Sequence, residues 1–350
     1  MRLTEVASGR DNNFNLIRIF AALAVLVSHS YPLSLGGNAA QPLSSSLGIT
    51  LGDVAVDIFF FTSGFLVTAS LLARRSVGEF LRARVLRIYP ALWVMLVLVV
   101  CCLGPALSTL PASRYWSDTQ TLEYLVRDAL LFTGIRYPLP GLFAANPYPN
   151  AVNGSLWTLL YEVRLYIALA LAWAALRWMA ADSRSLFRRA AVAVAVLSCA
   201  AQLLLQWRGI HGWASIRLSS FFFCGAAFQV LRERVVLRPA WLALTLGLLG
   251  GAALWGHRPF AVAYELLLGW LVLHLAYLPS GTIRRFNALG DYSYGVYIYA
   301  FPVQQTLAYL LPRIGVASMM LASAAVTLAF AACSWHWVER PALALKRSRG

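Results

Sequence analysis

Two residues in the first apolar stretch, Arg18 and His29, are of types that hydrocarbon tolerates at a penalty of a few kcal/mol each, and so mark function by default. They stand eleven positions apart in Asn15-Leu16-Ile17-Arg18 … Val27-Ser28-His29. That is close to three helical turns, so one helix face carries both, about 16 Å apart along the axis. A neutral imidazole in such a place can take a proton from a hydroxyl near neutral pH. The second apolar stretch brings a carboxylate, Asp57, in Val56-Asp57-Ile58-Phe59-Phe60. Read as antiparallel spans, Asp57 and His29 reach similar depths. A carboxylate beside an imidazole orients the ring and stabilises its protonated form, which is the base–orienter logic of acyl transfer. Glu265 reaches a similar depth and rivals Asp57 as that partner. Asp53 falls one turn further out, and Ser63-Gly64 reads as a point of close helix packing.

A second group of residues suits phosphate. Arg74, Arg75, Arg82, Arg84 and Arg87 lead into Ile88-Tyr89-Pro90. Guanidinium forks match phosphate oxygens, so a cluster beside a membrane entrance suits a phosphorylated donor. Topology alone explains several of the five, but Arg84 and Arg87 are spaced to share a helix face and are the specific pair. Glu162, Arg164 and Tyr166 lie near the middle of a later apolar run.

The elements that must position these groups are membrane helices. Of 350 residues, 60% are hydrophobic and 12% charged, and the mean hydropathy is +0.66. Soluble domains carry about twice that share of charge, and disorder requires the opposite composition, so both are excluded. Apolar runs predict ten spans, near 14–34, 50–72, 88–106, 156–177, 189–206, 213–231, 239–256, 259–278, 291–311 and 316–338. The expected fold is an all-α polytopic bundle, a single membrane domain over 1–350. The net charge is +15, and twenty-one of the 29 basic residues fall on alternate connections and the termini. The positive-inside rule then puts both termini in the cytoplasm, with a basic tail over 339–350. Arginines scattered over short connections do not make a nucleic-acid surface. The cysteines Cys101, Cys102, Cys199, Cys224 and Cys333 show no metal-ligand spacing, so no metal site is expected. Asn153-Gly154-Ser155 matches a glycosylation acceptor. The longest connection, 107–155, is expected outside the cytoplasm. Its stretch from Thr121 to Leu131 has the apolar spacing of an interfacial helix. The proline- and tyrosine-rich remainder suits either a lid over a sugar or lipid headgroup, or an aromatic anchor at the interface.

Six fragments in order carry a resemblance. They are Arg18 with His29; Val56-Asp57-Ile58-Phe59-Phe60 through Ser63-Gly64-Phe65-Leu66; Phe80 with Arg84, Arg87 and Pro90; Leu156-Trp157-Thr158-Leu159 with Glu162 and Tyr166; Leu289-Gly290 with Ser293-Tyr294 and Tyr297; and Glu339-Arg340-Pro341. From about Asn13 to Pro341 the chain resembles the integral-membrane acyltransferase family 3, which O-acylates sugars and other acceptors of the bacterial envelope. The resemblance implies a multi-pass protein of the bacterial cytoplasmic membrane with no bound cofactor. Acyl-CoA, by default acetyl-CoA, serves as co-substrate, and an envelope or exported glycan as acceptor. Arg84, Arg87 and Arg18 would hold the donor, with Arg18 also among the catalytic residues. His29 would act as base with Asp57 orienting it, and Glu162, Tyr166, Trp157 and Tyr294 would line the tunnel or acceptor side. Two departures stand out: Asn15 where many members have Asp, and Ala300 where members often carry a second His before Pro302. A covalent acyl-histidine, or an acyl-serine at Ser28 or Ser30, stays open. So do a glycan transporter and a pH-sensing scaffold built on the same polar residues.

Overall fold

The computed structural model describes residues 1–7, 9, 11–37, 40–74, 76–210 and 212–346. Arg10, Arg75, His211, Arg347 and Arg349, and with the last two the end of the expected basic tail, lie outside the described residues. Among the described residues there is no β-strand, only an isolated bridge between Arg2 and Val236.

Each of the ten apolar runs is helical. The helices are α1 (Phe14–Leu35), α2 (Leu51–Ala73), α3 (Val77–Val97), then α4 (Thr119–Leu130) in the long connection, and α5 (Trp157–Met179), α6 (Ser183–Trp207) and α7 (Ala214–Val230). They continue with α8 (Pro239–Trp255), α9 (His257–Tyr277), α10 (Ser293–Leu310) and α11 (Val316–Ser334). Seven helical segments are long and apolar enough to cross a bilayer: α1, α2, α3 with its continuation to Leu107, α5 with the turn before it, α6, α9, and α11 with its continuation to Ala344. The 17-residue helices α7 and α8 are apolar but shorter, about 26 Å long at 1.5 Å per residue, just under the hydrocarbon thickness. One boundary differs from expectation. The helix α3 starts at Val77, well ahead of the apolar run at 88–106, so Arg82, Arg84 and Arg87 lie on a helix rather than in a connection. Apolarity ends at the first charges, whereas helix propensity does not, since Arg, Leu, Ala and Glu are all good formers.

The chain packs as two compact units, residues 1–21, 43–81 and 165–291 in the first, and 22–42, 82–164 and 292–350 in the second. In the first, α2 and α7 meet backbone to backbone. A Cβ on Gly64 would fall 1.8 Å from the Phe222 carbonyl oxygen, and one on Gly225 would fall 2.1 Å from that of Phe61. Ser63-Gly64 is thus the close-packing point expected. Phe14, Phe65 and Tyr277 pack ring on ring beside it. In the second unit, Gly295 of α10 sits against the backbone of Ala331 of α11, and Gly154 sits beneath the ring of Phe301.

Both units bury polar side chains among their apolar packing and expose large apolar ones. Asp57, Glu265 and His274 are buried in the first, and Gln304, Gln305 and Glu339 in the second, while Leu246, Leu254, Trp255, Leu321 and Trp337 are exposed. That pattern suits a hydrocarbon solvent, where polar groups must find partners inside the protein. The helix α4 follows it too: Leu122, Val126 and Leu130 form an exposed stripe, and Thr121, Tyr124 and Asp128 face inward. An apolar outward stripe is the form an interfacial helix takes. Burial pushes the Asp128 carboxyl up to about 7, against the Arg136 backbone N–H and the Arg127 charge, which pull it down. Asn153 is fully buried and its side-chain nitrogen donates to the Ile298 carbonyl at 2.9 Å, which removes the glycosylation reading.

Candidate functional site

In the first unit the buried charges close on one another. Asp57 is wholly buried, and the Tyr264 hydroxyl donates to its Oδ2 at 2.9 Å. Arg217 Nε lies 3.5 Å from Asp57 Oδ1, an ion pair rather than a well-formed hydrogen bond. Arg217 Nη1 reaches Asp53 Oδ1 at 2.7 Å. Asp53 is tied in turn to the start of α2, where its Oδ2 accepts from the Thr50 hydroxyl at 2.7 Å and Thr50 caps the helix. Asp57 is thus engaged by a guanidinium and a phenol. The reason is electrostatic: a buried carboxylate takes the cation that packing brings nearest. Also in this unit, Arg18 Nη1 pairs with Asp291 Oδ2 at 2.8 Å, and its guanidinium carbon lies 5.9 Å from the centre of the Phe59 ring. Tyr166 donates to Ser63 Oγ at 3.3 Å. Glu265 is buried next to Tyr264 on α9.

In the second unit His29 is half-buried on α1, with the edge of the Phe301 ring 5.3 Å away between centroids. Its two neighbours are serines whose hydroxyls are occupied. Ser28 Oγ donates to Gln41 Oε1 at 2.6 Å. Ser30 Oγ donates to the Leu26 carbonyl at 2.9 Å and accepts from Gln304 Nε2 at 2.8 Å. Gln304 also donates to the Leu26 carbonyl at 2.9 Å, and its own Oε1 is buried without a hydrogen-bond partner. It lies one turn beyond Ala300 on α10. Gln305 beside it donates to the carbonyls of Tyr148 and Ala151, and its own carbonyls accept from Asn146, so the long connection is anchored to α10.

The same unit holds the arginine pair. Arg87 Nη1 bonds Glu339 Oε2 at 3.1 Å, and Ser334 donates to the other oxygen of Glu339 at 3.0 Å. The Arg87 guanidinium also lies 5.6 Å from the centre of the Tyr294 ring, whose hydroxyl donates to the Ile88 carbonyl. Arg84, three positions before Arg87 on α3, is half-buried. Trp157 opens α5 with its ring against Tyr161, and Glu162 is half-buried on the next turn. Arg164 faces outward and donates to the Phe132 carbonyl at 3.1 Å.

Spacing brought out Arg18, His29, Asp57, Arg84 and Arg87, but not Arg217, Tyr264 or Gln304. Arg217 carried a signal, since an arginine inside an apolar run needs a buried anion. Gln304-Gln305 carried another, as two amides inside an apolar helix. Tyr264 carried none, because a tyrosine in a membrane helix is ordinary.

The family described as acyltransferase domain, acyltransferase 3, matches residues 11–338. Nodulation protein 10 of Rhizobium leguminosarum bv. viciae is 28% identical, with 98% of this chain and 96% of that protein covered. The O-acetyl transferase of Shigella phage Sf6 is also 28% identical, over 95% of this chain and 96% of its own. The exopolysaccharide production protein ExoZ of Rhizobium meliloti (strain 1021) is 28% identical over 86% and 92%. No solved structure matches. With a family match over nearly its whole length and helices built for a bilayer, the chain belongs to the acyltransferase 3 family and is a multi-pass membrane O-acyltransferase.

Proposed function

We propose that the protein moves an acyl group, acetyl by default, from acyl-CoA on the cytoplasmic side of a bacterial inner membrane to a hydroxyl of an envelope or exported glycan. The glycan follows from relatives described as an O-acetyl transferase and an exopolysaccharide production protein. In this reading both termini are cytoplasmic, and Arg84 and Arg87 bind the donor's phosphates, with Glu339 fixing the plane of the Arg87 fork. Arg18 stands at the mouth of the acyl path, and Trp157, Glu162, Tyr166 and Tyr294 line the tunnel or acceptor side.

His29 acts as general base. As the acceptor oxygen attacks the thioester carbonyl, the imidazole takes the hydroxyl proton. The tetrahedral intermediate then collapses by breaking its C–S bond, and the departing thiolate recovers the proton from the imidazolium. The observation that carries this reading is the occupation of Ser28 and Ser30 on either side of His29. With both hydroxyls committed, the imidazole is the acid–base group of that turn, which favours direct transfer over an acyl-serine. Asp57 serves as the buried anion that fixes Arg217 beside Asp53.

The test is thiol release from acyl-CoA by membranes containing the wild type, His29→Ala or His29→Gln, paired with mass spectrometry of envelope glycans. Both variants are expected to insert normally and to lose about 10²–10⁴-fold in thiol release. Arg84→Ala is expected to raise the donor KM with a smaller change in kcat. Turnover unchanged by His29→Ala overturns the mechanism, and glycan movement without acyl-CoA consumption would identify a transporter.

A further inference from the structure

At one end of the first unit the C-terminal turn of α2, the first turns of α6 and the end of α7 line a half-open cavity of about 540 Å³. Arg184 and Arg188, four positions apart on α6, both line it, and Arg232 lines it from the turn after α7. Among the described residues none of these three guanidiniums is ion-paired. The other charges in the lining are carboxylates. Asp182 is committed as the cap of α6, accepting from the Ser185 N–H at 3.1 Å. Glu233 is not so committed. Gln229, four positions before Glu233, is 4% exposed, lines the same cavity, and has a buried Oε1 with no hydrogen-bond partner.

A lining with unpaired guanidiniums, an available carboxylate and an orphaned buried acceptor is dipolar. Topology accounts for the arginines, but not for a carbonyl oxygen buried without a donor, since buried acceptors are paired as a rule. Guanidinium forks bind phosphate oxygens, while Gln229 Oε1 and Glu233 ask for an N–H donor, best a cationic one. We propose that this cavity binds a phosphate ester carrying a protonated amine, the chemistry of an ethanolamine phospholipid headgroup or of a soluble aminoalkyl phosphate. The phosphate lies on Arg184, Arg188 and Arg232, and the ammonium donates to Gln229 and Glu233. The site is distinct in residues from the acyl-transfer reading and does not rest on it.

The experiment uses the full chain in phosphatidylcholine nanodiscs doped with phosphatidylethanolamine or, separately, phosphatidylglycerol. A further arm adds soluble O-phosphoethanolamine to undoped discs. Retained lipid is read by native mass spectrometry and the thermal midpoint by fluorescence. The expected result is selective retention and stabilisation by phosphatidylethanolamine, by O-phosphoethanolamine, or by both, and the responding arm names the source. Phosphatidylcholine offers the phosphate without an N–H donor, and phosphatidylglycerol offers no cation. Arg184→Gln with Arg232→Gln, both at exposed positions, is expected to weaken the apparent affinity at least tenfold while leaving the undoped midpoint unchanged. Gln229→Leu is expected to erase the preference for ethanolamine over choline. Equal responses to all three lipids with none to O-phosphoethanolamine, or a double variant that responds as the wild type does, would overturn the proposal.

Discussion

Two polar clusters buried among apolar helices differ in kind. Around Arg217, formal charges meet: two carboxylates and a guanidinium, with the neutral Tyr264 phenol donating to one of the carboxylates, Asp57. Around His29 the identified hydrogen bonds join neutral groups, two serines, two glutamines and a carbonyl. The first arrangement ties α2, α7 and α9 to one another through Asp53 and Asp57, Arg217, and Tyr264. The second ties α10 to the α1 backbone through Leu26 and Ser30, next to the half-buried His29, and in the proposed mechanism it would present that imidazole to substrate.

That division can be broken by substitution. Arg217→Met strands two carboxylates and is expected to cost about 3–5 kcal/mol, the usual penalty for removing one partner of a buried pair. It should appear as a large fall in the thermal midpoint of the detergent-solubilised protein. His29→Ala should leave that midpoint unchanged, and equal losses would erase the distinction. Tyr264→Phe removes one bond to Asp57 and is expected to cost about 1–3 kcal/mol by the same measurement, with acyl transfer per folded molecule preserved.

Gln304→Leu probes the neutral cluster. Freed from its clamp on Leu26 and Ser30, α1 is expected to present His29 less accurately and to lose about tenfold in kcat at constant donor KM, the mark of a positioning residue. A loss of stability without that split would make Gln304 merely structural.

The smallest global effect is expected in the long connection, where Asp128 is a third case: a buried carboxyl held by a backbone N–H and without an ion-pair partner among the described residues. The folded segment keeps its proton up to about pH 7, whereas an unfolded Asp releases it near pH 3.9. Between those values the folded form binds more protons, so its stability is full below about pH 4, falls as pH rises, and levels off above about 7. Amide exchange over 107–155 should therefore quicken from pH 4 to 7 after correction for the intrinsic rate. Asp128→Asn, which still accepts from the Arg136 N–H, should flatten that dependence.

The membrane class and the ten helices were legible in the residues alone. Hydropathy is a local quantity, and in hydrocarbon a backbone has little choice but to bond within its own helix. Even there the start of α3 escaped, because charge hides a helix from an apolarity criterion though not from the backbone. The partners were not legible. Asp57 faces a residue 207 positions away, Gln304 one 274 away and Arg87 one 252 away. No periodicity links such positions. They meet because glycines such as Gly64 and Gly225 let helices approach to backbone contact, and once that packing is set, each buried polar group bonds whatever the neighbouring helix presents.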